Sequence, residues 1–238
     1  MGIFSKLRFA SKAAVEAEVK SWSEPPFWSP DRVLNSVGAW GSSTLDNEER
    51  IEANFEAFIE QGYKKSGPVY ACISARQMIL SEARFVWRRY DKGRPEEPFT
   101  DDGLSLLEAP WPSGTTGDLI SRMEQDGSLA GNFFATTVDD LGRYGKASKG
   151  GSGRRIVRMR PDWVTILIGS PRENGHPLDL DAKVIGYLYE PHGRSGLNST
   201  EGTPQKVLLV PDEVCHYTPD PDPIARFRGM SWITPIVR

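Results

Sequence analysis

Cysteine is scarce in this chain: there are two in 238 residues, Cys72 and Cys215, far apart. That excludes a disulfide framework and fits a reducing compartment, with both thiols read as small buried hydrophobes. Histidine is nearly as rare, at three. His216 follows Cys215, but adjacent strand residues point to opposite faces. His176 and His192 fall in loops, so no four-ligand metal site is expected. No apolar run is long enough to span a bilayer, which argues against a transmembrane helix and a membrane partner. The N-terminal stretch carries basic residues without an apolar segment and does not read as a secretory signal. The sequon at Asn198 therefore carries no meaning. Met1-Gly2 hints at myristoylation, yet Lys6 stands where that pattern needs Ser or Thr. An excess of positive charge is missing too. Lys and Arg number 29 against 32 Asp and Glu, a formal net charge of -3. Proteins that hold nucleic acid by counterion release are ordinarily basic, so tight DNA binding is not expected, although handling DNA without gripping it stays open.

Catalytic patterns are lacking as well. The chain has no GxSxG, no HExxH and no pair of carboxylates on one helical face. No enzyme and no cofactor are expected. The Lys149-Gly-Gly-Ser-Gly-Arg154 tip could suggest a phosphate cradle, but such a loop needs a strand before it and a helix after it. Here strands flank it on both sides, and a flexible hairpin tip is the reading. Asp220 and Asp222 alternate with prolines in an extended rail and read as solvated carboxylates.

What is present is a run of helices followed by a run of strands. Residues 1–45 form an N-terminal arm: a possible helix over 3–20, then a proline-rich stretch with Trp22, Trp28 and Trp40. A helix is expected from Asp46 or Asn47, with Asp46 and Glu49 as a capping box, Ile51, Phe55, Phe58 and Ile59 on its apolar face, and Gly62 as its stop. A second starts near Ser66-Gly67-Pro68 and carries Val69, Ile73, Leu80 and Ala83, widened by Cys72 and Ile79. A strand over 84–90, with one buried and one wet face, then precedes a charged loop over 91–100. A short apolar turn follows over 104–107. Thr115 and Asp118 cap a third helix with Leu119, Ile120, Met123 and Ala130 on its core face and Gly131 as its αL stop. Strands follow over 132–138, 154–160, 163–168, 184–189, 207–210 and 214–217, those at 163–168 and 184–189 apolar on both faces. This is α+β with a mainly antiparallel sheet. Ser231 and Thr234-Pro235 read as a helix entrance. The chain stops at Arg238 with almost no helix after it, which suggests a chain that ends partway through a larger design.

Arginines cluster at Arg84, Arg88 and Arg89, at Arg154, Arg155, Arg158 and Arg160, and at Arg226 and Arg228. Most read as solvated strand faces. Arg226 and Arg228 flank Phe227 in a segment with few local partners to bury that ring. With Trp232 they are the candidate subunit-interface residues.

Five segments carry a resemblance in series: GPVYACISARQMILSEARFVWRR, LLEAPWPSGTTGDLISRMEQDGSLAGNFFA, RMRPDWVTILIGS, DAKVIGYLYEP and VPDEVCHYTPDPDPIARFRGMSWITP. Together they resemble the N-terminal half of portal proteins of tailed bacteriophages, those of actinobacterial phages and prophages above all. The resemblance implies that residues 46–238 are a portal wing-like domain, cut before the stem. It implies a head-tail connector, a ring of identical subunits, usually a dodecamer, at one capsid vertex of the virion, assembled in the host cytoplasm. Double-stranded DNA would be packaged and ejected through the ring without tight binding. Capsid protein, terminase and a head-tail adaptor are the implied partners. A nucleic-acid-binding module, or a remnant prophage protein without its own activity, is the alternative.

Overall fold

Among the described residues, strands outnumber α-helices. A computed structural model describes residues 48–50, 55–99, 102–170, 179–191 and 206–236. All lie in the unit Leu45–Arg238. The arm over 1–45, Ile51, His176, His192 and Asn198 lie outside the described residues.

The described part is α+β. A four-stranded antiparallel sheet has the order β1 (Glu48–Arg50), β6 (Val164–Gly169), β7 (Lys183–Tyr189) and β8 (Val207–Leu209). A three-stranded antiparallel sheet has β4 (Phe133–Val138) between β5 (Arg155–Met159) and β9 (Cys215–Tyr217). The two sheets meet through a core of Phe134 and Met159 from one and Val164, Ile166, Ile168, Tyr187, Tyr189 and Leu209 from the other. Val164 to Ile168 are all buried, as a strand apolar on both faces demands.

Helices cover the other side of the smaller sheet. Helix α4 (Thr116–Ala130) lays Leu119 on Phe133 and Ala135 of β4. It is set by the expected cap: the Thr115 N–H donates to Asp118 Oδ2 at 2.9 Å, and the Asp118 N–H donates to Thr115 Oγ1 at 3.2 Å. It ends at Gly131 in the left-handed region, φ 71°. Helix α2 (Gly67–Ser81) crosses α4 and buries Val69 and Ile73 with Leu129, Ala130, Phe55 and Ile233. Helix α3 (Ser105–Glu108) is a single turn.

Four expectations need correction. Residues 48–50 are not helical; β1 pairs with β6, Glu49 opposite Ile166, so Glu49 caps no helix. Helix α1 (Phe55–Ala57) widens into a π-turn, Phe58–Tyr63, that runs through the buried Gly62 rather than stopping there. Cys72 and Ile79 on α2, and Ala83 just past its end, are exposed rather than part of the buried stripe, and Cys215 is exposed as well. Within the loop expected over 91–100, residues 91–99 are no loop: β2 (Trp87–Asp91) and β3 (Arg94–Phe99) form a hairpin whose turn, Lys92-Gly93, has φ 47° and 79°, the signature of a type I′ turn. Every residue of β2 is exposed, Trp87 included; of the face expected to be buried, Phe85 alone packs, against Leu119, Phe133 and Ala135.

Candidate functional site

The segment singled out by its arginines is an irregular loop over 219–230 and the turn after it. Glu49 is what shapes it. The backbone N–H groups of Arg226, Phe227 and Arg228 all donate to the Glu49 carboxylate, at 2.7, 2.8 and 2.8 Å. Three charge-assisted bonds to one carboxylate fix a stretch of backbone that forms no strand. Asp222 does the same further back, accepting from the Ile224 N–H at 2.9 Å and pairing with Arg228 at 3.0 Å. Those bonds, together with Arg228, outweigh burial and hold the Asp222 carboxyl below the usual carboxylate range.

The loop is riveted to the end of α4. Asn132 is fully buried; its side-chain amide donates to the Ala130 and Gly229 carbonyls at 2.9 and 3.0 Å. Its Oδ1 accepts from the Gly229 N–H at 2.8 Å and lies 3.2 Å from His216 Nε2. Since Oδ1 only accepts, Nε2 carries the proton, and Nδ1 accepts from the Tyr187 hydroxyl at 3.1 Å. His216 also stacks on Phe134 with ring centroids 4.4 Å apart. Burial pushes the imidazole down to about 4 and the Tyr187 phenol up to about 12. Both are neutral at ordinary pH, so the relay holds geometry rather than moving protons. Gly131 and Gly229 allow the closest approach: a Cβ on Gly131 would sit 2.4 Å from the Met230 carbonyl carbon, and one on Gly229 2.2 Å from the Gly131 oxygen.

The four predicted residues do not form one cluster. Phe227 packs on the inter-sheet core, so the ring has burial partners that its own neighbourhood in sequence did not offer. Arg226 is exposed and donates to the Asp179 and Leu180 carbonyls at 2.6 and 3.3 Å. Arg228 is paired, as above. Trp232 lies in the helical cluster under Arg76, 6.0 Å from its ring, with the indole N–H buried and unmatched among the described residues. Thr234 opens no full helix within residues 231–236; two i to i+3 bonds, Thr234 N–H to Ser231 O and Ile236 N–H to Ile233 O, make successive turns instead. A shallow cleft of about 140 Å³ beside the loop is lined by Phe55, Phe58, Leu129, Met230 and Thr234. Asp222 and Arg228 also line it, already paired with each other.

Several charged groups that matter are ones the sequence pattern did not single out. Glu124 and Asp126 on α4 are buried, answered by Arg76 of α2 and by a two-pronged contact from Arg158 of β5 at 2.5 and 2.6 Å. Asp126 stands three residues from Met123 and four from Ala130, on the apolar face itself; a charge there is the available signal for a buried ion pair. The second arginine cluster is thus spent within the chain, since Arg155 also meets Asp140 and Arg160 meets Asp162 and Glu56. The glycine-rich tip is not a flexible end. Buried Asp139 accepts from the Leu141 and Arg143 N–H groups, and Gly151 and Gly153 lie where a Cβ would strike the carboxylates of Asp139 and Asp140. The cradle is filled by the chain's own aspartates. Among the described residues, no group of three His, Cys, Asp or Glu side chains could hold a metal ion. None of the described helices is long and apolar enough to cross a membrane.

No known family's sequence profile matches this chain, and no curated protein matches it in sequence. Its fold has relatives. One is a chain in the neck of an empty gene transfer agent particle, computed with C6 symmetry: TM-score 0.52, 16% identity, 82% of this chain covered and 43% of that one. A chain in the neck of the native particle, computed with C12 symmetry, gives 0.51, 14%, 84% and 43%. A chain in the virion of the native particle gives 0.52, 15%, 83% and 43%. The chain therefore shares a fold with these and spans 43% of their length.

Proposed function

We propose that this chain is the wing-like part of a portal subunit, a structural component of a phage-like particle. The observation that carries this is the fold likeness to chains of a particle neck over 82–84% of the chain. The serial resemblance of five segments to portal proteins points the same way. In this reading the chain works as one of a closed ring of copies at the capsid vertex. Double-stranded DNA passes through that ring during packaging and ejection, with terminase docking first and an adaptor later. The chemistry suits a scaffold: Asn132, His216 and Tyr187 form a neutral polar network, and the Asp222 and Arg228 side chains that line the cleft are tied to each other. The chain is proposed to have no catalytic activity of its own, and Arg226, with its guanidinium at the surface, to lie near a subunit boundary. Negative-stain imaging and native mass spectrometry of the complete protein test this. Closed rings of one subunit type are expected. A protein that stays monomeric and never enters particles would end the proposal.

A further inference from the structure

The β2–β3 hairpin is a sheet one strand short. Its strands pair with each other, and among the described residues neither has a second neighbour. Two strands alone are marginal in water, and a third is what usually makes such a sheet hold. The hairpin is anchored at its base, where Phe85 packs on Leu119, Phe133 and Ala135, and its far end is set by the Lys92-Gly93 turn. Between those points β2 is exposed along its whole length, with Trp87 at 46% and Tyr90 at 69%.

The two strands differ in what their outer edges offer. Pro95 and Pro98 remove N–H groups from β3. The irregularity in the pairing falls on β3 too: between the Arg88–Pro98 and Tyr90–Pro95 pairs, Glu96 and Glu97 face the single Arg89. Prolines and bulges keep other chains off an edge, and β2 has neither. In an antiparallel pair alternate residues turn their N–H and C=O outward. Asp91 and Arg94 close the turn, so Tyr90, the next residue back, is one of these on β2. The β2 edge is therefore a regular run of backbone donors and acceptors open to a further strand.

The side chains say which strand fits. From Arg84 to Tyr90 there are three arginines and no acid. None of the three makes an ion pair with a described carboxylate: Arg84 donates to the Ser81 and Ala83 carbonyls, and Arg89 lies 5.0 Å from the Phe99 ring centroid. By alternation Arg89 shares a face with Trp87, and Arg88 with Tyr90. Each face of an added strand would thus meet one guanidinium and one aromatic ring. Glu96 and Glu97 belong to β3, one strand further from the newcomer. A second copy pairing through the same edge would bring Arg88 and Arg89 against their own counterparts, which like charge opposes. A nucleic acid would leave the outward N–H and C=O groups unmatched. We propose that the β2 edge takes a third strand, an extended acidic segment of another protein with carboxylates and apolar side chains on both of its faces. The proposal stands whether or not the chain closes into a ring.

The probe is a fluorescent peptide of three Glu-Glu-Val-Val repeats, titrated with the full chain and followed by anisotropy. Saturable binding is expected, about tenfold or more tighter than that of the Lys-Lys-Val-Val counterpart, with hydrogen exchange slowed over Trp87–Asp91. N-methylation of alternate peptide residues should abolish it. Arg88→Glu together with Arg89→Glu should reverse the preference between the two peptides, a result that an unfolded hairpin could not give. Absence of saturable binding by the acidic peptide overturns the proposal, and so does equal binding of its N-methylated form. Exchange at Trp87–Asp91 that slows with protein concentration alone hands the edge to a second copy. An oligothymidine that binds more tightly than the peptide, and loses that binding in the double variant, hands it to nucleic acid; either result overturns the proposal.

Discussion

The 219–230 loop and helix α2 are opposites. The loop has almost no regular structure, yet its backbone is bonded at nearly every turn: to Glu49, to Asp222, to Asn132, and across the Pro221–Gly229 bridge. Helix α2 is regular throughout, and Met78 and Ile79 on its outer side are each 73% exposed. Regularity and fixity are thus separate properties. The loop is held by side-chain carboxylates and amides placed far away in sequence. The helix satisfies its own backbone and leaves those two side chains bare.

That contrast can be broken or sharpened, beginning with the largest effect. Gly131→Ala puts a methyl group into the Met230 backbone at a φ of 71°, and should cost about 4 kcal/mol or prevent folding, read by urea denaturation. Arg158→Ala strands Asp126, which is 1% exposed, and should cost about 3 kcal/mol; pairing it with Asp126→Leu should recover much of that. Acid should act through His216. Its folded-state value of about 4 lies below the ordinary 6.5, so its contribution is whole above pH 6.5 and drains as pH falls through 4. The slope over that window should amount to about 3 kcal/mol at most, and His216→Gln should flatten it in a pH series of melting curves. Glu49→Ala frees three amides of the loop and should cost about 2 kcal/mol, with faster hydrogen exchange confined to Arg226, Phe227 and Arg228. Met78→Lys on the bare face should change the stability of the isolated chain by no more than about 0.5 kcal/mol. A large loss there would mean that α2 is covered from within the chain.

Local chemistry was legible in the sequence where it acts locally. The Thr115–Asp118 cap, the Gly131 stop and the doubly apolar β6 follow from propensity, spacing and alternation. Tertiary pairing was not legible. Glu49 looked like a helix cap because Asp46 and Glu49 have the right spacing, but three amides 177 to 179 residues away hold it in a strand instead. The β2–β3 hairpin was hidden by Pro95 and Pro98, which are tolerated because they line an edge. The glycines of the 146–153 tip read as flexibility; they serve close approach to Asp139 and Asp140, which only the fold brings beneath them. Of the interface candidates, Phe227 was singled out for lacking partners near it in sequence, and its partners turned out to be distant ones.

The Glu49 carboxylate also sets an order of events in synthesis. It sits in the first described strand, and its three donors follow 177 to 179 residues later in the chain. Strand β1 can pair with β6 once residue 169 is out, but its side chain has no amides to hold until residue 228 follows. Contacts of such long span are slow to close. The β1 edge of the larger sheet is therefore sealed late, and a nascent chain waits with that edge open to whatever strand comes first.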